Sequence, residues 1–570
     1  MRLIWSAKTA ALAVGAFAAL FAVFPLTDTD IWWHLACARE WVTTWTPVRE
    51  PVVNVHEFFQ QVVAFVYNIG GAPLLVAFKA VLWGVVFALF LWPSVRNARD
   101  CHPGPVEPTC DRHPGLVEPA PDVFRGKSPF SLKIAVCVLL LFIFRYQLEA
   151  RPVLFSLLFL GIYWNVLPWI FGGGLRDTRL NCRSGLRAGI AFRCFVVIIV
   201  LLLQWLWCKC QGLYILGPIF ALTVLALEWW ISRSSGRPIP RQSLLWQLAF
   251  VALLFAMPFF HREGLNLFLY PFGLLDRLLG LSQSATFFAS EIAENRSPIT
   301  LLMAGENVLQ SALMIVLCVV GFVVAVRKVI LERLLGALEF RVLWLLVTAV
   351  LALVAERNFV LFLPVFFAVV MPWILRTCGP QNDETQSVCS PQNDETRSVG
   401  GPQNGSGTSP RQVLHSNFAA SRLTYVSSLV LIAFLLGLWL RSVSSYDSMV
   451  AYQRVPVAAA EWMTSHPHSG RLFNDDRAGG YLSFVNPSDS TYIDGRFILK
   501  TAEFFEKYLR YAEAPKTFLD DAKLQNIDRV VLPLRYYARW GKLLASLDSA
   551  ENWHVAYRDP FFVVMDRTEH

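Results

Sequence analysis

Seven consecutive residues, Asp28-Thr29-Asp30-Ile31-Trp32-Trp33-His34, place two carboxylates and an imidazole directly after the first long apolar block of the chain. Acidic groups beside a low-dielectric region are costly unless a cation or a metal pairs with them. Two carboxylates two residues apart can share one divalent ion, Mg or Mn, with Asp28 and Asp30 as its ligands. Either can also serve as a base toward a hydroxyl group. The tryptophans suit a headgroup region, where an apolar ring and a polar N–H are both accommodated. Spacing alone leaves catalysis and simple interfacial anchoring both open, with His34 as a further binding candidate.

Other charged residues sit at comparable places. His56 and Glu57 precede the apolar run 58–67, and Glu57 is either a second acid or a charge favoured by a helix start. Arg145, Glu149 and Arg151 bracket a short turn between two apolar blocks; Lys209 and Gln211, His261 and Arg262, and Glu356 with Arg357 and Asn358 occupy three more such turns. Arg suits phosphate through its planar, bidentate donors. Gathered around the aspartates, Arg145, Arg151, Lys209, Arg262 and Arg357 would suit a lipid phosphate or pyrophosphate. Taken singly, each of these cations can snorkel to the interface or pair with Glu149 or Glu356. Farther along, Asn474-Asp475-Asp476-Arg477-Ala478-Gly479-Gly480-Tyr481-Leu482 reads as a tight turn into a helix, with the backbone approaching something closely. With Asp494-Gly495-Arg496, it is either a polar rim facing the site, through Asp475 and Arg477, or plain turn chemistry.

What positions these residues is a set of apolar blocks. The chain has 570 residues, 55% hydrophobic and 16% charged, with a mean hydropathy of +0.45, where globular chains are nearer a quarter charged. The blocks, about 17–23 residues long, match what a helix needs to cross a hydrocarbon core. They are continuous rather than alternating, so they read as helices and not as strands of a barrel. About eleven spans are expected, at residues 8–26, 72–93, 130–148, 152–171, 189–208, 212–231, 244–260, 308–326, 337–355, 358–376 and 423–441. The net charge of +8 gathers in short links between them. That is the pattern that orients membrane proteins, not a nucleic-acid surface. With the N-terminus in the cytoplasm, the links carrying Arg96, Arg99, Arg125 and Lys127, then Arg176, Arg179, Arg183 and Arg187, then Arg233, Arg237 and Arg241, then Arg327, Lys328 and Arg333 all fall inside. The charged turns above and the C-terminal region then face outward from a multi-pass protein of the cell membrane, its inner or plasma membrane.

Two inside links, about 97–128 and 378–420, contain tandem repeats, HPGPVEP and HPGLVEP in one and PQNDET twice in the other. Segments so polar and so rich in Pro and Gly cannot bury enough surface to fold. The eleven cysteines form no framework, and Cys208 and Cys210 alone make no zinc site. The outer stretch 265–281, interrupted by Pro271 and Gly273, is expected to be interfacial or re-entrant. Residues 1–441 therefore form the membrane domain and 442–570 a small α/β domain. In the latter, helices are expected at 457–466, 502–512 and 536–547, and strands at 471–474, 491–493, 529–532, 553–557 and 561–565. No phosphate loop, HExxH, GxSxG or paired CxxC is present, which argues against an ATP-driven pump and the common hydrolases.

The order of DTDIWWHL at 28–35, HEFF at 56–59, RPVLFSLL at 151–158, RNFVLF at 357–362, NDDRAGGYL at 474–482 and IDGR at 493–496 resembles a bacterial branch of the GT-C superfamily of membrane glycosyltransferases. The resemblance covers nearly the whole chain outside the repeat-bearing links. It implies a polyprenyl-phosphate or -pyrophosphate sugar donor and an acceptor on the outer side. It also implies an acid in the first outer loop, here Asp28 or Asp30, and in some members a divalent metal. The stretch Trp207-Cys208-Lys209-Cys210-Gln211-Gly212 departs from the Asn and His expected of that branch. Two other functions fit the same architecture: a transporter or flippase of lipid-linked glycans, which calls for spans broken near mid-membrane and an inverted repeat, and a non-catalytic envelope scaffold.

Overall fold

A computed structural model describes residues 7–48, 53–92, 130–172, 185–279, 293–331, 340–377 and 410–568, apart from 235, 237, 238, 447, 497, 498, 536 and 537. The expected link at 97–128 lies outside these residues, as does 378–409 of the other link.

Long continuous apolar stretches form a helical bundle. Its helices are α1 (Ala7–Phe21), α3 (Glu57–Leu91), α4 (Phe130–Ile143), α5 (Val153–Gly172), α6 (Gly185–Trp207), α7 (Leu216–Ser234), α8 (Arg241–Ala256), α11 (Val308–Leu331), α12 (Phe340–Val354), α13 (Phe359–Thr377) and α14 (Pro410–Val443), with α2 (Asp30–Cys37), α9 (Leu265–Leu279) and α10 (Pro298–Met303) as shorter pieces between them. Each expected span coincides with a helix, but among the described residues six are long and apolar enough to cross a membrane: 57–91, 153–171, 212–234, 241–260, 308–328 and 424–443. The apolar parts of α1, α4, α6 and α12 are shorter, so helix length does not bear out the figure of eleven. Rows of apolar side chains are exposed on α6 (Phe192, Phe195, Leu202), α11 (Val316, Val319, Phe322) and α14 (Val430, Phe434). Such a surface suits hydrocarbon rather than water.

One bound differs from expectation, and two further local features fill in what the sequence left open. The last link ends earlier than 420, because α14 starts at Pro410, and proline's fixed φ fits a first helical turn. The stretch from 265 is one unbroken helix through Pro271, with Leu265, Leu269 and Phe272 exposed and Leu267 buried. Helix α3 is two helices in one: Gly70 (φ −147°) and Gly71 (φ +63°, ψ −157°) leave helical geometry just before Pro73. Gly71 adopts a backbone conformation closed to side-chain-bearing residues. The break separates the 57–69 segment, beside α2, from the apolar span that begins at 72.

Close approach of small residues brings α1 and α3 together. A Cβ on Gly15 would lie 2.6 Å from the Gly84 carbonyl oxygen, and one on Gly84 would lie 2.9 Å from the Gly15 carbonyl and 3.0 Å from the Ala19 Cβ. Within lipid, such contact is what holds helices, since apolar side chains gain nothing by leaving hydrocarbon. Helix α13 is the buried centre, with Phe362, Phe366 and Phe367 fully enclosed.

The C-terminal residues form a four-stranded sheet of order β1-β2-β4-β3, comprising β1 (Arg471–Asn474), β2 (Ile527–Pro533), β3 (Trp553–Arg558) and β4 (Phe562–Arg567). β1 and β2 run parallel, while β4 is antiparallel to both β2 and β3. The covering helices are α15 (Val457–Ser465), α16 (Asp476–Val485), α17 (Ala502–Glu513), α18 (Pro515–Leu524) and α19 (Gly541–Asp548). The expected strand at 491–493 is instead a single bridge, with Thr491 pairing Thr44 of the first interhelical segment. The helix expected from 536 begins at Gly541, and 536 and 537 lie outside the described residues. An aromatic core of Phe473, Tyr508, Tyr511, Phe518 and Trp540 fills the sheet's covered face.

Gly84→Leu drives a side chain into the α1 backbone and should lower unfolding stability in detergent by about 1–3 kcal/mol. Gly437→Leu, where a Cβ meets nothing within 4 Å, should leave the melting temperature unchanged. Equal effects would mean that the glycine contact does not join the helices.

Candidate functional site

The segment after α1 is held from both sides. Leu26 N–H donates to the Met449 carbonyl (2.9 Å), Trp45 N–H to Thr491 (3.0 Å) and Thr491 N–H to Thr43 (3.1 Å). Buried Lys500 gives its protons to the Thr44 and Thr46 hydroxyls and to the Thr46 and Pro47 carbonyls, at 2.6–3.1 Å. Burial pushes that ammonium down to about 8. Arg496 binds Asp494 through Nε (2.9 Å), the Trp41 carbonyl (2.7 Å) and the Thr43 hydroxyl (3.0 Å). The first segment and the C-terminal domain therefore lie on one side of the bundle and share hydrogen bonds.

Between them, α2 carries Asp30. The glycines of the 474–482 motif let α16 reach it: a Cβ on Gly480 would lie 2.8 Å from Trp33 N, and one on Gly479 would collide with the Ile493 carbonyl oxygen. The close approach expected of Gly479-Gly480 is thus to α2 and to the 493–495 turn. Gly495 (φ +85°) lies beside Asp30, and a Cβ there would be 3.6 Å from Asp30 Oδ1.

On the bundle side, Asp28, 5% exposed, is gripped by Arg151 through Nε (2.7 Å) and Nη2 (3.2 Å). The opposite edge of the same guanidinium takes Glu294, with Nη1 at 2.6 Å and Nη2 at 2.7 Å. Arg151 is held well above its ordinary value: burial alone would lower it, but the two carboxylates more than offset that. Burial, then the neighbouring Asp28 charge, pushes Asp30 up to about 7. Glu294 falls to about 2, because Arg151, with Arg357 and Arg454 farther off, outweighs the effect of burial. Desolvation lowers Arg357, whose electrostatic neighbours are Glu294, Arg151, Asp30 and Tyr270. The residue nevertheless keeps an exposed surface, and among the described residues no carboxylate lies within 4 Å of it. Asp28, Asp30, Arg151 and Arg357 are therefore neighbours, as expected, with Glu294 added.

The other candidates lie apart. Arg145 turns back onto its own helix, donating to the Phe142 carbonyl (2.7 Å) with the Phe142 ring 4.3 Å away. Arg262 is exposed and is not among the groups that act on the aspartates. Lys209 joins Glu57 (3.0 Å) and Glu263 (2.5 Å) in a second cluster, beside which His261 donates to the Trp205 carbonyl (3.0 Å) and stacks on its ring. The expected convergence of all five cations therefore fails for Arg145 and Lys209, which have nearer partners, and for Arg262, which is exposed. His34 is buried on α2 against His56, with ring centroids 5.2 Å apart. Burial and that neighbour lower His34, and burial takes His56 down to about 4, with His56 Nδ1 donating to the Cys210 carbonyl. Asp475 is no rim residue. It is 3% exposed, caps α16 by accepting from Arg477 N–H (3.0 Å) and accepts from Trp540 Nε1 (2.7 Å). Arg477 stands in the first turn of α16 beside Asp476.

Two residues that sequence reading passed over belong here. Lys79 is a buried cation inside the apolar run of α3, a position that marks function by default in a membrane span. Glu294 had no signal beyond its charge. Among the described residues, no group of three or more His, Cys, Asp or Glu is placed to hold a metal. Arg151 takes both oxygens of Asp28. The chain matches no protein-family model, and comparison with curated proteins gives no match either.

Gly480→Val should push α2 off α16, lower the melting temperature and open the 40–48 segment to protease in native membranes. Gly541→Ala, where a Cβ meets nothing, should change neither. Protection retained in Gly480→Val would mean that α2 does not depend on that contact.

Proposed function

We propose that the chain is a membrane glycosyltransferase that moves a sugar from a polyprenyl-phosphate-type donor to an acceptor on the outer face of a cell membrane. What supports this reading is an acid poised near neutrality, Asp30, within electrostatic reach of Arg357, a cation with no carboxylate within 4 Å among the described residues. A base works best when its pKa lies near the working pH, and a guanidinium is suited to phosphate. Asp30 takes the proton of the acceptor hydroxyl as its oxygen attacks the anomeric carbon. The bond from that carbon to the donor phosphate breaks, and its electron pair leaves on the phosphate oxygen, where Arg357 offsets the charge. One displacement of this kind inverts the anomeric centre. Asp28 holds Arg151 and, through its charge, keeps Asp30 basic.

The membrane lipid supplies the donor's setting; the basic links support the outward placement, and the first segment and the C-terminal domain share one side of the bundle with it. The repeat-bearing links would then lie in the cytoplasm.

In membranes supplied with a labelled lipid-phosphate sugar, Asp30→Asn should lower transfer about 10²-fold or more. Wild-type transfer should fall as pH drops through about 7, because protonation removes the base. Unchanged transfer in Asp30→Asn would remove this assignment. With Arg151 on Asp28, excess chelator should leave most of the transfer intact; loss restored by Mg or Mn would show that the carboxylates hold a metal.

A further inference from the structure

Beneath the aspartates lies a second pair of charges that the proposed reaction does not use. Lys79 Nζ, 1% exposed, is 3.8 Å from Glu149 Oε2, itself 12% exposed. The ammonium donates to the Phe24 carbonyl at 3.3 Å and faces that residue's ring at 3.4 Å. Glu149 Oε1 accepts from the Thr27 hydroxyl, whereas Oε2 is buried without a hydrogen bond. The Glu149 carbonyl accepts from Trp83 Nε1 (3.1 Å), one turn beyond Lys79 on α3, and the Thr27 carbonyl accepts from Arg454 (2.9 Å).

The connectivity gives this pair its meaning. Thr27 directly precedes Asp28, and Glu149 stands two residues before Arg151. The Thr27–Glu149 and Asp28–Arg151 contacts are thus adjacent rungs joining the same two chain segments. We propose that Lys79 and Glu149 are positioning residues: a buried charge pair that fixes the two segments in register and so sets the geometry with which Asp28 and Arg151 frame Asp30. Two charges at this depth are costly, and a half-made contact at 3.8 Å offsets little of that cost. An apolar pair would pack there more favourably, so their presence calls for a role beyond stability. Lys79 balances Glu149, and balanced Glu149 can hold Thr27. Without Lys79, the carboxylate is left beside Asp28 with only Arg151, already bound to Asp28 and Glu294, as counter-charge, and is driven away from Asp28.

This inference rests on the reading of the site as a transferase, and the test separates the two. Lys79→Met, Glu149→Gln and the double variant are compared with wild type for kcat per folded molecule, KM for the lipid-phosphate sugar and melting temperature. The glutamine amide retains an oxygen for Thr27, and the methionine side chain fills the space of the lysine stem. Lys79→Met should lower kcat about tenfold or more with KM little changed, since the donor phosphate is held elsewhere. The double variant should return to within about threefold of wild type and recover the melting temperature lost by Lys79→Met. Unchanged kcat per folded molecule in Lys79→Met would reduce the pair to a structural role and overturn the proposal. So would a double variant no better than Lys79→Met. If the wild type transfers no sugar, the transferase reading is wrong, while the melting temperatures still decide the pairing, and additive losses overturn it.

Discussion

One guanidinium, that of Arg151, is the contact on which the charged site depends. It binds Asp28 along one edge and Glu294 along another, and so joins the segment after α1, the α4–α5 turn and the segment before α10. Taking a carboxylate out of water is tolerated only when another charge or several hydrogen bonds replace the solvent, and a bidentate pair does this with fixed geometry. The identity of the neighbours then follows. Asp30, two residues on, feels the charge of Asp28 and is raised. Arg357 feels Arg151 as well as its own desolvation and is lowered. Removal of Arg151 would leave Asp28, Asp30 and Glu294 without their shared counter-charge at the edge of an apolar bundle.

A second constraint comes from the far end of the chain. The C-terminal domain is no appendage joined by a tether, since its turn at Gly495 stands against Asp30, its Arg496 and Lys500 fasten residues 41–47, and its helix α16 lies on α2 at Gly480. The site is thus built from both parts of the protein, and neither holds Asp30 alone. The break at Gly70 and Gly71 fits the same plan. It lies at the head of a span, not in its middle, and sets off the 57–69 segment, whose preceding His56 packs against His34 of α2.

Much of this was legible in the residues. Continuous apolar blocks located the helices, and the Asp28–Asp30 spacing and the arginine of 151–158 picked out charges that the fold brings together. The paired glycines at 479 and 480 announced a close approach, though not to which neighbour. What stayed hidden depended on tertiary distance. Arg145 and Arg151 read alike in sequence, yet one turns back to Phe142 and the other crosses to Asp28. Asp475 looked like a rim residue because Asp before a helix serves equally as a cap, and burial beneath Trp540 decides which it is. The 491–493 segment has the composition of a strand, but its partner is Thr44, more than four hundred residues away, and only one bridge forms. Lys79 could have been found: a lone lysine in an apolar span is a signal in itself, fainter than the clustered charges of the turns.

The account stands on an anion being received at Arg357 beside Asp30. Electron cryo-microscopy of the full chain with added polyprenyl phosphate tests this most directly. It should show the phosphate within hydrogen-bonding distance of Arg357, with Asp28 still on Arg151 and the lipid chain running along the bundle. A phosphate bound instead at the Lys209–Glu263 cluster, or seated on the opposite side of the bundle from the C-terminal domain, would contradict it.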